Sequence, residues 1–243
     1  MKNLFFLFIF TIGCAFQASA QPPNYDDLLI YFADGDYEKL VSKAEKYIGN
    51  DKTKRDALPY LYCSMGYFEM SKDDIYDEDY PKAYNQAIGM AGKGLKKDKD
   101  GSMYADNLKY YTEIKESVVE EITNMVDVQD YSRLRGTVMK LQRLDPADVG
   151  SHFLLAACQF QIKDKGSAKI TAKEAQARLD AVESVEDWRE VDMNMLRIGI
   201  IEYARYFKQA RQPDISKKIL NKVKQWFEDD EAFMAEYDDI VNG

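Results

Sequence analysis

The chain has 243 residues, a formal net charge of −9, and 46% hydrophobic residues including 17 Tyr and 12 Phe, against 13 Gly and 6 Pro. The acidic balance excludes nucleic acid as a partner, because its phosphates would be repelled, and it disfavours docking on anionic lipid. High aromatic content with few Gly and Pro excludes disorder for most of the chain.

Residues 1–20 read as a cleaved secretory signal peptide. Lys2 supplies a short positive start, Leu4 to Ile12 is an apolar run rich in Phe, and Ala18-Ser19-Ala20 is a small-x-small cleavage site before the polar Gln21-Pro22-Pro23. Cleavage leaves residues 21–243, one charge more acidic than the whole because Lys2 is the only charged residue removed. Two alternatives stay open. The apolar run is shorter than the ~20 residues that span a bilayer, but it could remain as an anchor. Thr11-Ile12-Gly13-Cys14 loosely resembles a bacterial lipobox, with Thr11 where Leu is usual, which makes Cys14 a possible lipid anchor. No second apolar run is long enough to cross a membrane.

From residue 25 the pattern is helical throughout, with no β-period. First helices are predicted near 25–34, 55–70, 102–128, 148–163 and 186–210. Second helices follow near 36–49, 80–97, 131–143, 166–183 and 213–228, and a last helix near 229–241. Each second helix carries apolar residues at steps of four and then three: Leu40, Ala44, Tyr47; Ala83, Ala87, Met90; Leu134, Val138, Leu141; Ala168, Ala172, Ala175; Ile219, Val223, Trp226. That step keeps side chains on one helix face, and its recurrence means stacked helical hairpins. Asp36-Tyr37, Asp79-Tyr80 and Asp130-Tyr131 introduce three of the five; the Asp residues suit N-caps and the Tyr residues fill the gap beside the turn. Pro59, Pro81 and Pro213 fall where helices begin, at no hydrogen-bonding cost. Lys96-Lys97 suits a helix C-terminus. In the last helix Phe233, Tyr237 and Ile240 share one face opposite six acids, as a terminal cap requires.

Gly35-Asp36-Tyr37-Glu38-Lys39 resembles the turn and second-helix start of a tetratricopeptide repeat. Asp130-Tyr131 with Leu144-Asp145-Pro146 resembles the second helix and closing Leu-Asp-Pro of that family, and Leu155-Ala156 stand at the Leu-Gly positions of a first helix. The interval from Leu134 to Ala168 matches the ~34-residue period. The longer intervals are accounted for by the acidic loop Ser71–Glu78 and by the two long helices at 102–128 and 186–210, in which Gly199 is the one helix breaker. The resemblance implies an all-α, right-handed solenoid of about five hairpins plus a C-terminal capping helix, in one repeat domain over 21–243, with possible subdivision near 100 or 185.

Chemistry-bearing constellations are sparse. His152 is the single histidine and reads as a packing or rim residue, so a His-dependent triad has no second member in view. One His with Cys63 and Cys158 gives no zinc spacing. Those two cysteines lie in apolar helical stretches two repeats apart, where only neighbouring repeats touch. They read as buried thiols, with a disulfide as the alternative an exported protein allows. Gly89-Met90-Ala91-Gly92-Lys93-Gly94 lacks the Ser/Thr and preceding strand of a phosphate loop and reads as a helix packed closely through its glycines. Asp73–Asp79 lacks the central Gly and spacing of an EF-hand and reads as a solvated loop, with weak calcium binding as the alternative.

No catalytic residue, cofactor or metal is therefore expected. The family resemblance implies that the first helices line a concave groove for protein segments, and the matched positions are Tyr25, Leu29 and Phe32 in the first unit and Phe153, Ala157 and Phe160 in the fourth. The expected function is a non-catalytic interaction module in the periplasm or at the outer membrane of a Gram-negative bacterium. Its protein partners would belong to a secretion, outer-membrane or motility assembly. The alternative is an exported small-ligand or glycan-binding protein, for which Trp188, Trp226 and the many Tyr would stack on sugars.

Overall fold

The computed structural model describes residues 23–243, so the expected signal peptide and Cys14 lie outside the described residues. The described chain is all-α: α1 (Asp26–Ala33), α2 (Tyr37–Gly49), α3 (Leu58–Met70), α4 (Ala83–Lys97), α5 (Ser102–Asp106), α6 (Leu108–Asp127), α7 (Tyr131–Leu144), α8 (Val149–Gln161), α9 (Lys165–Asp180), α10 (Glu190–Gln209), α11 (Pro213–Val223) and α12 (Glu231–Asn242). No strand is present among the described residues, and no helix among them is long and apolar enough to cross a membrane.

The helix boundaries follow local chemistry. Asp36 and Asp130 cap α2 and α7 by accepting from the backbone N–H of Lys39 and Arg133. Asp148, Asp164 and Asp230 do the same for α8, α9 and α12. Each supplies an acceptor to an otherwise orphan N–H. Asp79, expected as the third Asp-Tyr cap, is not one: α4 begins at Ala83, preceded by Lys82, and Pro81 lies in the turn before it. The expected helix over 102–128 is broken at Asn107, where the backbone leaves helical geometry and the side-chain amide donates to the Met103 carbonyl. The short α5 is held at its start by Asp98, which accepts from the N–H groups of Met103 and Tyr104. The loop Asp73–Asp79 holds one 3₁₀ turn, Asp74–Tyr76, and its carboxylates are exposed.

Successive hairpins α1–α2, α3–α4, α6–α7, α8–α9 and α10–α11 stack in chain order, and α12 closes the array against α10 and α11. The first anchor of every second helix, Leu40, Ala83, Leu134, Ala168 and Ile219, is buried. Tyr37, Tyr80 and Tyr131 lie half-buried against the core beside their turns. Gly92 in α4 lies against Arg143 of α7, where a Cβ would stand 3.2 Å from the Arg143 Cβ and carbonyl oxygen. Cys63 and Cys158 are free buried thiols, pushed up to about 12 by burial.

The packing departs from a strict nearest-neighbour array where α6 and α10, first helices of the third and fifth hairpins, touch each other. Between their hairpins α8 is buried almost all round. Leu154, Leu155 and Cys158 face the core built by the N-terminal hairpins, while Val149, Phe153, Ala157 and Phe160 face a second core built with α10–α12. The two cores thus meet at α8 and α10.

The crossing of α8 and α10 is a backbone contact. A Cβ on Gly199 would stand 2.0 Å from the Gly150 carbonyl oxygen, and one on Gly150 would stand 2.1 Å from that of Met195. Neither neighbour is a flexible side chain that could swing away. Gly199→Ala is therefore expected to destabilise the chain by about 3 kcal/mol, or roughly 6–12 °C in Tm for a domain of this size. Gly136→Ala in α7, where a Cβ meets open space, is expected to be neutral or stabilising by up to ~1 kcal/mol. Thermal unfolding of the two variants side by side checks the pair.

Candidate functional site: a buried ion cluster and an inter-helical groove

Lys115 lies on the inward face of α6 with Tyr111, Ile114, Val118, Val119 and Ile122, all buried. A lysine on such a face must carry its charge to a partner, because an isolated buried ammonium costs several kcal/mol or more. Its side chain is 2% exposed, and Nζ donates to three carboxylates: Asp145 at 2.8 Å, Asp148 at 2.6 Å and Asp192 at 2.6 Å. All three donors of the ammonium are used.

Helix termini position each carboxylate. Asp145 ends α7 in the Leu144-Asp145-Pro146 closing motif, Asp148 caps α8 and accepts from Ser151 N–H at 2.7 Å, and Asp192 stands in the first turn of α10. Arg189, just before α10, binds Asp192 through Nε and a terminal nitrogen at 2.7 and 2.8 Å, and reaches the Thr112 hydroxyl of α6 at 3.0 Å. Two cations therefore serve three carboxylates, and the cluster ties α6 to the α7–α8 turn and to α10.

Burial works against the Lys115 ammonium, but Asp148 and Asp145 outweigh it and hold its pKa above the ordinary lysine range. Burial also pushes Asp148 up, in spite of Lys115. For Asp192 burial acts in the same direction, yet hydrogen bonds from Arg189 and Lys115 hold the carboxyl below its usual range. A raised lysine stabilises the fold fully below its unfolded pKa, and this contribution fades as pH rises through the folded value. A depressed carboxyl stabilises above its unfolded pKa, and this contribution is lost in acid. Both contributions are present around neutrality, and the Asp148 shift subtracts from them there.

One ligand oxygen from each carboxylate lies within 4.8 Å of the others, a spacing that would suit a cation. The chain's own ammonium sits among them. Held protonated, with every N–H engaged, Lys115 has the opposite of the depressed pKa a nucleophilic lysine needs.

Two concavities adjoin the cluster. A cleft of about 390 Å³ opens over it, walled by Tyr104, Leu108, Val149 and Trp188 and edged by Asp187 and Arg189. The second lies between α6 and α10. The pairs Thr112–Arg189 and Lys115–Asp192 are both separated by 77 residues, so the two helices run parallel. A chain of depressions follows their seam. One of about 380 Å³ lies at Val119, Val191 and Thr123; the next, about 260 Å³, at Thr123, Ile198 and Ile201; the last, about 630 Å³, at Tyr131, Glu202 and Arg205.

None of the six expected groove positions lines this seam. Phe153 packs edge-on against Tyr203 at 5.2 Å, Phe160 stacks on Tyr206 at 4.8 Å, and Ala157 is buried beside them, because α10 covers that face of α8. Tyr25 is buried, edge-on to Tyr47 at 5.0 Å, with its hydroxyl donating to Asp56. Phe32 is half-buried near Tyr37, and only Leu29 is largely exposed, at 51%. These residues do not form one surface. The seam belongs to α6 and α10, in which the sequence offers no expected groove position. His152 is buried at the start of α8, its Nε2 3.3 Å from the Pro146 carbonyl, with its pKa lowered by burial.

No protein-family model matches the chain, and no curated protein is significantly similar to it.

Lys115→Met is expected to cost roughly 3–5 kcal/mol at pH 7, since three carboxylates lose their ammonium. The variant should gain stability as pH falls from 7 to 5, because the stranded carboxyls take up protons more readily when folded than when unfolded. The parent chain should show a smaller gain, because Lys115 and Arg189 hold Asp192 down and Asp148 is the cluster carboxyl that is pushed up. Urea unfolding of both proteins at the two pH values reads the difference.

Proposed function

We propose that this protein is a non-catalytic interaction module of the Gram-negative cell envelope, a degenerate member of the tetratricopeptide-like class. In this reading it is exported by way of residues 1–20, its hairpins form a right-handed array, and it serves as an adaptor or accessory subunit of a secretion, outer-membrane or motility assembly. The observation that carries the reading is the seam between α6 and α10. It has an apolar floor at Val119, Val191 and Ile201, a charged rim, and a length set by two helices of 20 residues each. An apolar centre with a polar rim is how protein-binding surfaces are built. The cluster's chemistry supports the same reading, because its charges are spent on one another.

The test is co-purification from solubilised native envelopes. A stoichiometric partner is expected, and Thr123→Trp, which fills the middle of the seam from an exposed position, should release it without lowering Tm. An isolated monomer would contradict the proposal. Mass spectrometry of the mature chain is expected to show Gln21 at its start; an acylated Cys14 would mean lipid anchoring instead.

The cleft beside Trp188 favours a second reading, a glycan-binding protein, because an aromatic wall beside carboxylates and an arginine suits stacked, hydrogen-bonded sugars. It predicts a thermal shift with an oligosaccharide panel that disappears in Trp188→Ala. No shift across the panel removes it.

A further inference from the structure

The charges around the α6–α10 seam are sorted by position. At the C-terminal end every cation already has a carboxylate: Arg197 pairs with Asp230 at 2.9 Å, Arg205 with Glu202 and Glu236, and Lys208 with Asp239 at 3.0 Å. At the N-terminal end Glu116, Glu120 and Glu190 edge the depression floored by Val119 and Val191, and none of the three has a cationic partner among the described residues. All three are exposed, whereas the two valines are buried. Lys115 and Arg189 are the nearest cations in sequence, and both are committed to the cluster below. At its N-terminal end the seam therefore presents three acids without a cationic partner beside an apolar strip, whereas at the other end every cation is paired and, of the lining acids, Asp127 has no cationic partner among the described residues.

Resting on the interaction-module reading above, we infer that the partner of this seam is a basic polypeptide segment. Its Lys or Arg side chains lie over Glu116, Glu120 and Glu190, while its intervening apolar side chains lie on Val119 and Val191. A helix of 20 residues is ~30 Å long, which accommodates about nine residues of extended chain. Charge complementarity of this kind sets orientation and on-rate, and it weakens with salt.

The probe is a labelled nine-residue peptide alternating Lys with Val, titrated against the full chain by fluorescence anisotropy. A Glu–Val peptide and spermine serve as comparisons. The Lys–Val peptide is expected to bind, to weaken with added salt, and to lose about tenfold in affinity when Glu116, Glu120 and Glu190 are all changed to Gln. These are exposed positions, so unchanged far-UV circular dichroism is expected to accompany the loss. Equal binding by the triple variant, equal binding of the Glu–Val peptide, or displacement by spermine at equal charge would overturn the inference. Failure of the Lys–Val peptide to bind also overturns it. If Thr123→Trp still releases an envelope partner in that case, the interaction module stands and only the chemistry of the partner is wrong. If no partner is released either, both fall.

Discussion

One buried ammonium organises the middle of this molecule. Lys115 reaches from α6 to the turn between α7 and α8 and to the first turn of α10, so a single side chain contacts three consecutive hairpins. A buried ion cluster is weak evidence for net stability, because desolvation offsets much of its Coulomb attraction. Its value lies in geometry. Three hydrogen bonds of 2.6–2.8 Å to carboxylates fixed at helix ends allow few other arrangements. The α6–α10 contact follows from that constraint, and the seam follows from the contact.

The other side of α10 is set by shape rather than charge. Gly150 and Gly199 bring the backbones of α8 and α10 together, while Tyr203, Tyr206 and Phe207 cover Phe153 and Phe160. The aromatic side chains of the fourth hairpin are consumed as core, which leaves α6 and α10 to form the open face. α10 thus works on three fronts: backbone contact with α8, the ion cluster at its N-terminus, and the seam along its flank.

Much of the architecture was legible in the residues. The four-then-three apolar steps located the second helices, and every first anchor is buried, from Leu40 to Ile219. Gly199 stood out as the one glycine in a long helix, and it lies where the backbones meet. The break at Asn107 was hidden because it depends on a side-chain amide competing for a carbonyl, a choice that periodicity does not encode. Asp79 repeated the Asp-Tyr pattern of Asp36 and Asp130, yet Pro81 and Lys82 follow it in a turn and delay the helix to Ala83. The ion cluster is the largest omission. Its members lie up to 77 residues apart, and only the stacking brings them together. The trace it leaves in the sequence is a lysine on the apolar stripe from Tyr111 to Ile122 and two acids flanking Pro146-Ala147. The burial of Phe153 and Phe160 under α10 was hidden for a related reason: cover by a later helix cannot be read from the periodicity of the earlier one.

The claim on which the account rests is that Lys115 holds α6 against α10 at a fixed spacing. Double electron–electron resonance between spin labels at positions 120 and 190, both exposed, measures that spacing directly. The account predicts a narrow distance distribution in the parent chain and a broad or shifted one in Lys115→Met, with helical content retained. Identical narrow distributions in the two proteins would contradict it.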